Sequence, residues 1–184
     1  MRPAVFLDRD GVINANRVDH VKSWNELRFM DCAFPALRRL AQSRIPVVVV
    51  TNQSAVGRGL MSLETATMIN RRLTEEVEAA GGRITATYLC PHHPDARCAC
   101  RKPAPGMLLQ AAREWDLDLS QSYLVGDAVS DMSAARAANA RGILVMTGRG
   151  TEQSMLLNPE WGCTVVQDLG AAVETILSAS SRRV

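Results

Sequence analysis

The sequence predicts a three-layer α/β fold, Rossmann-like, with a central parallel sheet covered by helices on both faces. Short apolar runs alternate with longer amphipathic ones along the whole chain, the rhythm of strand–helix–strand units. The second apolar run ends in Val47, Val48, Val49 and Val50, as in a strand buried on both faces. At 184 residues the chain has the size of one domain with a substantial core, so one domain over 1–184 is expected.

Taken in order, strands are placed at 4–7, 46–50, 84–89, 123–125 and 143–146, with a late edge strand at 164–166. Helical spacing falls at 34–41, 63–80, 107–115, 130–138 and 169–177. Ser62 is a suitable N-cap for the second helix, because its hydroxyl can accept a hydrogen bond from an unpaired N–H of the first turn. Gly81-Gly82 stops that helix. The chain has no internal repeat, low-complexity segment or linker, and no insertion large enough for a separate cap domain.

Composition excludes several classes. Hydrophobic residues make up 47% and charged residues 22%, the balance of an ordinary globular protein. Net charge is +2 and no run of lysine or arginine exceeds two residues, which argues against a nucleic-acid partner. No apolar stretch approaches the roughly 18 residues that span a bilayer. The first residues enter an apolar strand without the layout of a signal peptide, so the cytoplasm is the expected compartment; a monomer is the expected state.

In parallel sheets, ligands sit beyond the carboxyl ends of the strands. The first strand is followed by Asp8-Arg9-Asp10-Gly11, the second by Thr51-Asn52-Gln53-Ser54, and the fourth by Gly126-Asp127 with Asp131 one turn on. This set suits phosphoryl transfer to a carboxylate, which needs a nucleophile, a cation on the phosphate oxygens and a proton donor for the leaving group. Asp8 is the expected nucleophile. Asp10, two residues on and sharing its face, is the expected general acid and then general base. Asp127 would bind Mg²⁺ together with an oxygen of Asp8. Thr51 offers a hydroxyl, Asn52 a backbone N–H, and Lys102 a point charge to the phosphoryl group. A lone Asp-x-Asp is common in loops; the strand ends and the partners give this one its weight. Asp131 reads equally well as a first-turn residue complementing its helix dipole, and alternation turns Arg9 away from the nucleophile.

Five cysteines are present, and Cys90, Cys98 and Cys100 fall close together around His92. A Cys₃His set at loop spacing reads as a closed, structural Zn²⁺ site. His93 is a rival to His92, and Cys32 and Cys163 read as core residues. Zinc here would stiffen a loop of about 90–102 that ends on Arg101-Lys102, holding both side chains over the phosphate pocket.

The set Asp8-Arg9-Asp10-Gly11-Val12-Ile13-Asn14, Thr51-Asn52-Gln53-Ser54, Lys102-Pro103 and Gly126-Asp127 with Asp131 resembles the four motifs of the haloacid dehalogenase (HAD) superfamily. The resemblance implies a Rossmann-like domain, an aspartyl-phosphate on Asp8, and Mg²⁺ on Asp8, Asp127 and the backbone carbonyl of Asp10. The string from Cys90-Pro91-His92-His93-Pro94 to Cys98-Ala99-Cys100-Arg101-Lys102-Pro103 is similar to the zinc-loop branch that holds heptose 1,7-bisphosphate 7-phosphatases and histidinol-phosphate phosphatases. By that resemblance a small phosphorylated metabolite is the substrate. Arg101 recognises it, and the Asn16 to Val21 loop with Asp19 and the Thr51, Asn52, Gln53, Ser54 turn contact the sugar phosphate. Pro105-Gly106-Met107-Leu108 favours the heptose enzymes, and the five residues between His92 and Cys98 favour the histidinol enzymes. A nucleic-acid 3′-phosphatase and a non-catalytic phospho-acceptor module are the other readings; Asp10 beside Asp8 speaks against the second, because an acid/base promotes turnover.

Overall fold

The computed structural model describes residues 1–181. β1 (Val5–Leu7), β2 (Val47–Asn52), β3 (Ala86–Cys90), β4 (Tyr123–Gly126), β5 (Arg141–Val145) and β6 (Thr164–Val166) form one sheet in the order β3-β2-β1-β4-β5-β6. Every pairing is parallel. The chain therefore builds outward from β1 in one direction, returns, and builds outward in the other. That reversal opens a crevice at the carboxyl ends of β1 and β4.

Side chains of successive strand residues divide between two cores. Val5, Leu7, Val47 and Val49 face α1 (Ala33–Ser43), α3 (Leu63–Ala79) and α7 (Leu169–Ser181), where Leu37, Leu73 and Val173 are buried. Phe6, Val48, Val50 and Leu124 face α4 (Gly106–Trp115) and α5 (Val129–Ala137), against Met107, Leu108 and Ala134. Burial on both faces explains the unbroken valine run. Ser62 caps α3 as expected, accepting from the Thr65 N–H at 3.1 Å.

Several boundaries move. β3 begins at Ala86 because its ladder is set by β2, from Val48↔Ala86 to Asn52↔Cys90; Ile84 is buried in the loop before it. β2 runs on through Thr51 and Asn52, so those residues end the strand rather than follow it. β5 starts two residues early, paired as Tyr123↔Arg141. Two short helices, α2 (Ser54–Gly57) and α6 (Gly150–Ser154), hold only 4 and 5 residues and are too short to show a helical period.

Two connections rise over the crevice, residues 8–32 and 91–105. Within each, the regular structure is a 3-residue 3₁₀ turn, Trp24–Glu26 and Pro94–Ala96. The crevice is thus walled by loops, without a cap domain. Among the described residues no helix is long and apolar enough to cross a membrane.

Candidate active site

The end of β1 delivers Asp8 to the floor of a cleft of about 930 Å³, with Asp10, Asn52, Gln53, Ser54, Arg101 and Lys102 along it. Lys102 is buried, and its ammonium group lies 3.0 Å from Asp8 Oδ1 and 2.6 Å from Asp131 Oδ1. It also donates to the Val50 carbonyl at 2.8 Å. Burial pulls its pKa down, but the charges of Asp131 and Asp8 outweigh that and hold it protonated, above its ordinary value. Asp8 moves the other way. Burial pushes its carboxyl up to about 6; Lys102 opposes the shift, and Asp131 and Asp10 add to it.

Asp127 is fully buried behind Asp8, and two glycines let the backbone close over it. A Cβ on Gly11 would meet Asp127 Oδ2 at 2.2 Å, and one on Gly148 would meet it at 2.4 Å. Both glycines have positive φ, +88° and +59°, where a side chain would be strained as well as obstructed. Carboxylate oxygens of Asp8, Asp127 and Asp131 come within 4.8 Å of one another. Burial and the Asp8 charge raise the pKa of Asp127, partly offset by Arg149. Three carboxylates drawn into so small a space fit a hard divalent cation with oxygen ligands, which is the chemistry of magnesium.

Asp131 stands in the first turn of α5, where Oδ2 accepts from the Ala128 N–H at 3.1 Å, and its Oδ1 pairs with Lys102. Thr51 is buried and its hydroxyl accepts from Gln53 Nε2 at 2.8 Å. The Asn52 side chain has a task the sequence did not indicate. Its amide bonds the Lys102 backbone twice, Nδ2 to the carbonyl at 3.0 Å and Oδ1 from the N–H at 3.1 Å.

Asp10 is not a free carboxylate. It accepts from Arg9 Nη2 at 3.0 and 2.9 Å, from Asn14 Nδ2 at 2.9 Å and from Gln53 Nε2 at 2.8 Å. Burial raises its pKa, but Arg9, Asn14 and Gln53 outweigh burial and lower it. Arg9, set aside as turning away from the nucleophile, is fully buried and contacts Asp10. Asp19 is not among the residues that line the cleft. It is exposed and paired with Arg17 at 3.0 Å and Lys22 at 2.8 Å, whose hydrogen bonds hold its carboxyl well below the usual range. Arg17 and His20 from the same loop do line the cleft.

Among the cleft residues with no sequence signal, Arg149 is the one that contacts the carboxylate cluster. Arg149, half exposed, donates its N–H to Asp127 Oδ2 at 2.9 Å and holds Nη2 3.4 Å from Oδ1. It follows β5 within Gly148-Arg149-Gly150. A glycine-flanked cation after a parallel strand is the signal that would have found it.

At the far end of the cleft wall, Cys90, His92, Cys98 and Cys100 form a second cluster. The Sγ–Sγ distances are 3.3, 3.5 and 3.6 Å, and His92 Nδ1 lies 3.5 Å from Cys90 and 3.2 Å from Cys100. Zn–S of about 2.3 Å and Zn–N of about 2.0 Å give tetrahedral edges of roughly 3.5–3.8 Å. The four donors fit zinc. His93 instead accepts from the Asp95 N–H at 3.3 Å, capping a 3₁₀ turn. Cys32 and Cys163 are free thiols, half-buried and packed elsewhere.

A family model for HAD-like hydrolases matches residues 99–172. The chain is 39% identical over 176 residues to D-glycero-beta-D-manno-heptose-1,7-bisphosphate 7-phosphatase of Pseudomonas aeruginosa, spanning 96% of this chain and 98% of the relative. The chain belongs to the HAD-like hydrolases. The Yersinia pestis enzyme of the same name is 38% identical over 182 residues, covering 94% of this chain and 95% of its own length. Among solved structures, a D,D-heptose 1,7-bisphosphate phosphatase from B. bronchiseptica, complexed with magnesium and phosphate, superposes with a TM-score of 0.90 at 38% identity. It covers 97% of this chain and 99% of its own. Its curated relatives are named phosphatases, and with them comes the class of enzyme, a phosphoric monoester hydrolase.

Proposed function

We propose that this chain, as a single domain over 1–184, hydrolyses the 7-phosphate of D-glycero-D-manno-heptose 1,7-bisphosphate. The observation that carries the reading is the cleft itself. A nucleophile and buried cation, Asp8 and Lys102, lie on its floor, while Arg17, Arg101 and Arg149 stand on its walls. One phosphate would sit on the floor and the walls would hold the second anion of a bisphosphate.

In the first step an oxygen of Asp8 attacks phosphorus and the bond to the sugar oxygen breaks. Lys102 and the Thr51 hydroxyl stabilise the charge on the phosphoryl oxygens. Asp10 gives its proton to the leaving oxygen. Its hydrogen bonds favour the ionised form, and an incoming dianionic phosphate opposes that preference by like-charge repulsion. In the second step Asp10 takes a proton from water, which attacks the aspartyl-phosphate and releases inorganic phosphate with Asp8 regenerated. Asp8, Asp127 and the Asp10 carbonyl would hold magnesium, with Asp131 kept at the edge of the site by Lys102; the ion would supply positive charge to the phosphoryl group. Zinc on Cys90, His92, Cys98 and Cys100 takes no part in the chemistry. Asn52, Gln53, Ser54 and Arg101 contact the substrate, and Asp19 acts by orienting Arg17. The same reading has the enzyme working as a monomer in the cytoplasm.

The test is a substrate panel with Mg²⁺: both anomers of the heptose bisphosphate, histidinol phosphate and a 3′-phosphorylated oligonucleotide. The heptose bisphosphate should give the highest kcat/KM by at least about tenfold. Turnover of histidinol phosphate alone would sink the substrate assignment and leave the chemistry standing.

A further inference from the structure

Asn70 is a buried amide in the middle of α3, 5% exposed, on the helix face that otherwise buries Ala66, Ile69, Leu73 and Val77. A polar group in such a place costs free energy unless it is paired. Its Oδ1 accepts from Arg9 Nη1 at 2.8 Å, and its Nδ2 has no partner among the described residues. The guanidinium only donates, so the chemistry fixes which way the amide faces. From its other corner Arg9 reaches both oxygens of Asp10. One planar group thus ties a helix, 61 residues away in sequence, to the carboxylate beside the nucleophile.

We propose that Asn70 is a positioning residue for proton transfer, holding through Arg9 the aim of the Asp10 carboxyl group at the leaving oxygen. The inference rests on the reading of Asp10 as acid and base. A simpler role for Arg9 is to neutralise Asp10, and for that Asn70 would be dispensable. The contacts favour more. Arg9 Nε has no partner, so the plane of the guanidinium is set by its two ends, one on Asp10 and one on Asn70. Without Asn70 the charge stays and the anchor goes. Asn14 and Gln53 still bond the carboxylate, but neither restrains Arg9.

Proton delivery matters most when the leaving group is poor. An alkyl phosphate expels an alkoxide that needs a proton, whereas p-nitrophenyl phosphate expels a phenolate that does not. The experiment compares kcat/KM for these two esters, the alkyl one being the best sugar phosphate the wild-type enzyme turns over. This constant reports the steps up to phosphoryl transfer to Asp8. Asn70→Leu and Asn70→Ser are measured beside Asp10→Asn. Taking the ratio of the two esters within one preparation cancels any unfolded fraction.

Both Asn70 variants should lose about tenfold on the sugar phosphate and less than about threefold on the aryl ester, with Asp10→Asn showing a wider gap in the same direction. Equal losses on both esters in both Asn70 variants, with the gap retained in Asp10→Asn, would overturn the positioning role alone. No gap in Asp10→Asn would instead overturn the acid/base reading beneath it.

Discussion

The carboxylates at the end of β1 and the thiols after β3 are both clusters of ionisable groups a few ångströms across, but they stand on different footings. Asp8, Asp127 and Asp131 are buried and fixed by strand ends and a helix start, with the sheet beneath them. The scaffold holds them out of water and close to one another, and the pKa values of Asp8 and Asp127 are raised by burial first and by neighbouring carboxylates second. Cys90 alone is buried among the four candidate zinc ligands; Cys98 and Cys100 are half-buried at the edge of the core and His92 is exposed. There the order would run the other way, with a bound metal holding the loop. At the first cluster folding supplies the energy that confines the charges, and at the second a bound metal would supply the energy that orders the loop.

The largest effect that would break this comparison is in activity. Asp8→Asn removes the nucleophile and should lower kcat/KM for any phosphate ester by about 10³-fold or more with Mg²⁺ present. Wild-type activity in that variant would move the nucleophile elsewhere. Next comes the zinc loop. Elemental analysis should find about one zinc per chain, and chelation or Cys98→Ser should destabilise the fold by several kcal/mol, lowering Tm by about 10 °C or more. Activity should fall with it, because Lys102 ends the loop. Protein purified without chelator and free of zinc would defeat the assignment.

The third test uses pH and addresses the carboxylate cluster alone. Asp8 titrates at about 6 in the fold against 3.8 unperturbed. Between those values the folded state binds the extra proton, so its contribution to stability falls as pH rises from about 4 to about 6. Asp8→Asn cannot ionise there. Its advantage in unfolding free energy over the metal-free wild type should therefore grow across that window, reaching roughly 2–3 kcal/mol near neutral pH. Denaturant titrations at pH 4, 5, 6 and 7 without divalent ions would measure it, and an advantage that stays flat would mean that Asp8 is not crowded. Adding Mg²⁺ should shrink the gap, since only the wild-type site keeps its full set of ligands.

How far each cluster was legible follows from what makes it. Strand ends announce themselves through apolar runs, so Asp8, Thr51 and Asp127 could be placed by the rule of parallel sheets. The thiols announce themselves by spacing. What sequence alone does not carry is contact between distant segments. Asn70 looks like any polar residue of an amphipathic helix until the fold brings it to the Arg9 guanidinium, and Arg9 looks like the alternating partner of two aspartates. Asp19 shows the same limit from the other side: an acid in a loop near the site draws notice, but its partners Arg17 and Lys22, within three residues, are not read from the pattern. β3 shifted because its start depends on β2, and local pattern cannot see the partner.

Asn52 gives the smallest effect and the sharpest one, because it joins the two regions. It closes β2 and grips both backbone groups of Lys102, where the zinc loop ends. Asn52→Ala would remove both bonds while leaving the thiols and carboxylates in place. Lys102 keeps its own contacts to Val50, Asp8 and Asp131, so it should loosen rather than leave. A displaced point charge should cost about tenfold in kcat, with zinc content unchanged and Tm lower by a few degrees. If zinc content falls in step with kcat, the metal loop depends on the strand end and the two regions form one cooperative unit. If kcat holds at the wild-type value, the three contacts of the ammonium group are enough to place it. In that case zinc serves the stability of the loop and not the aim of Lys102.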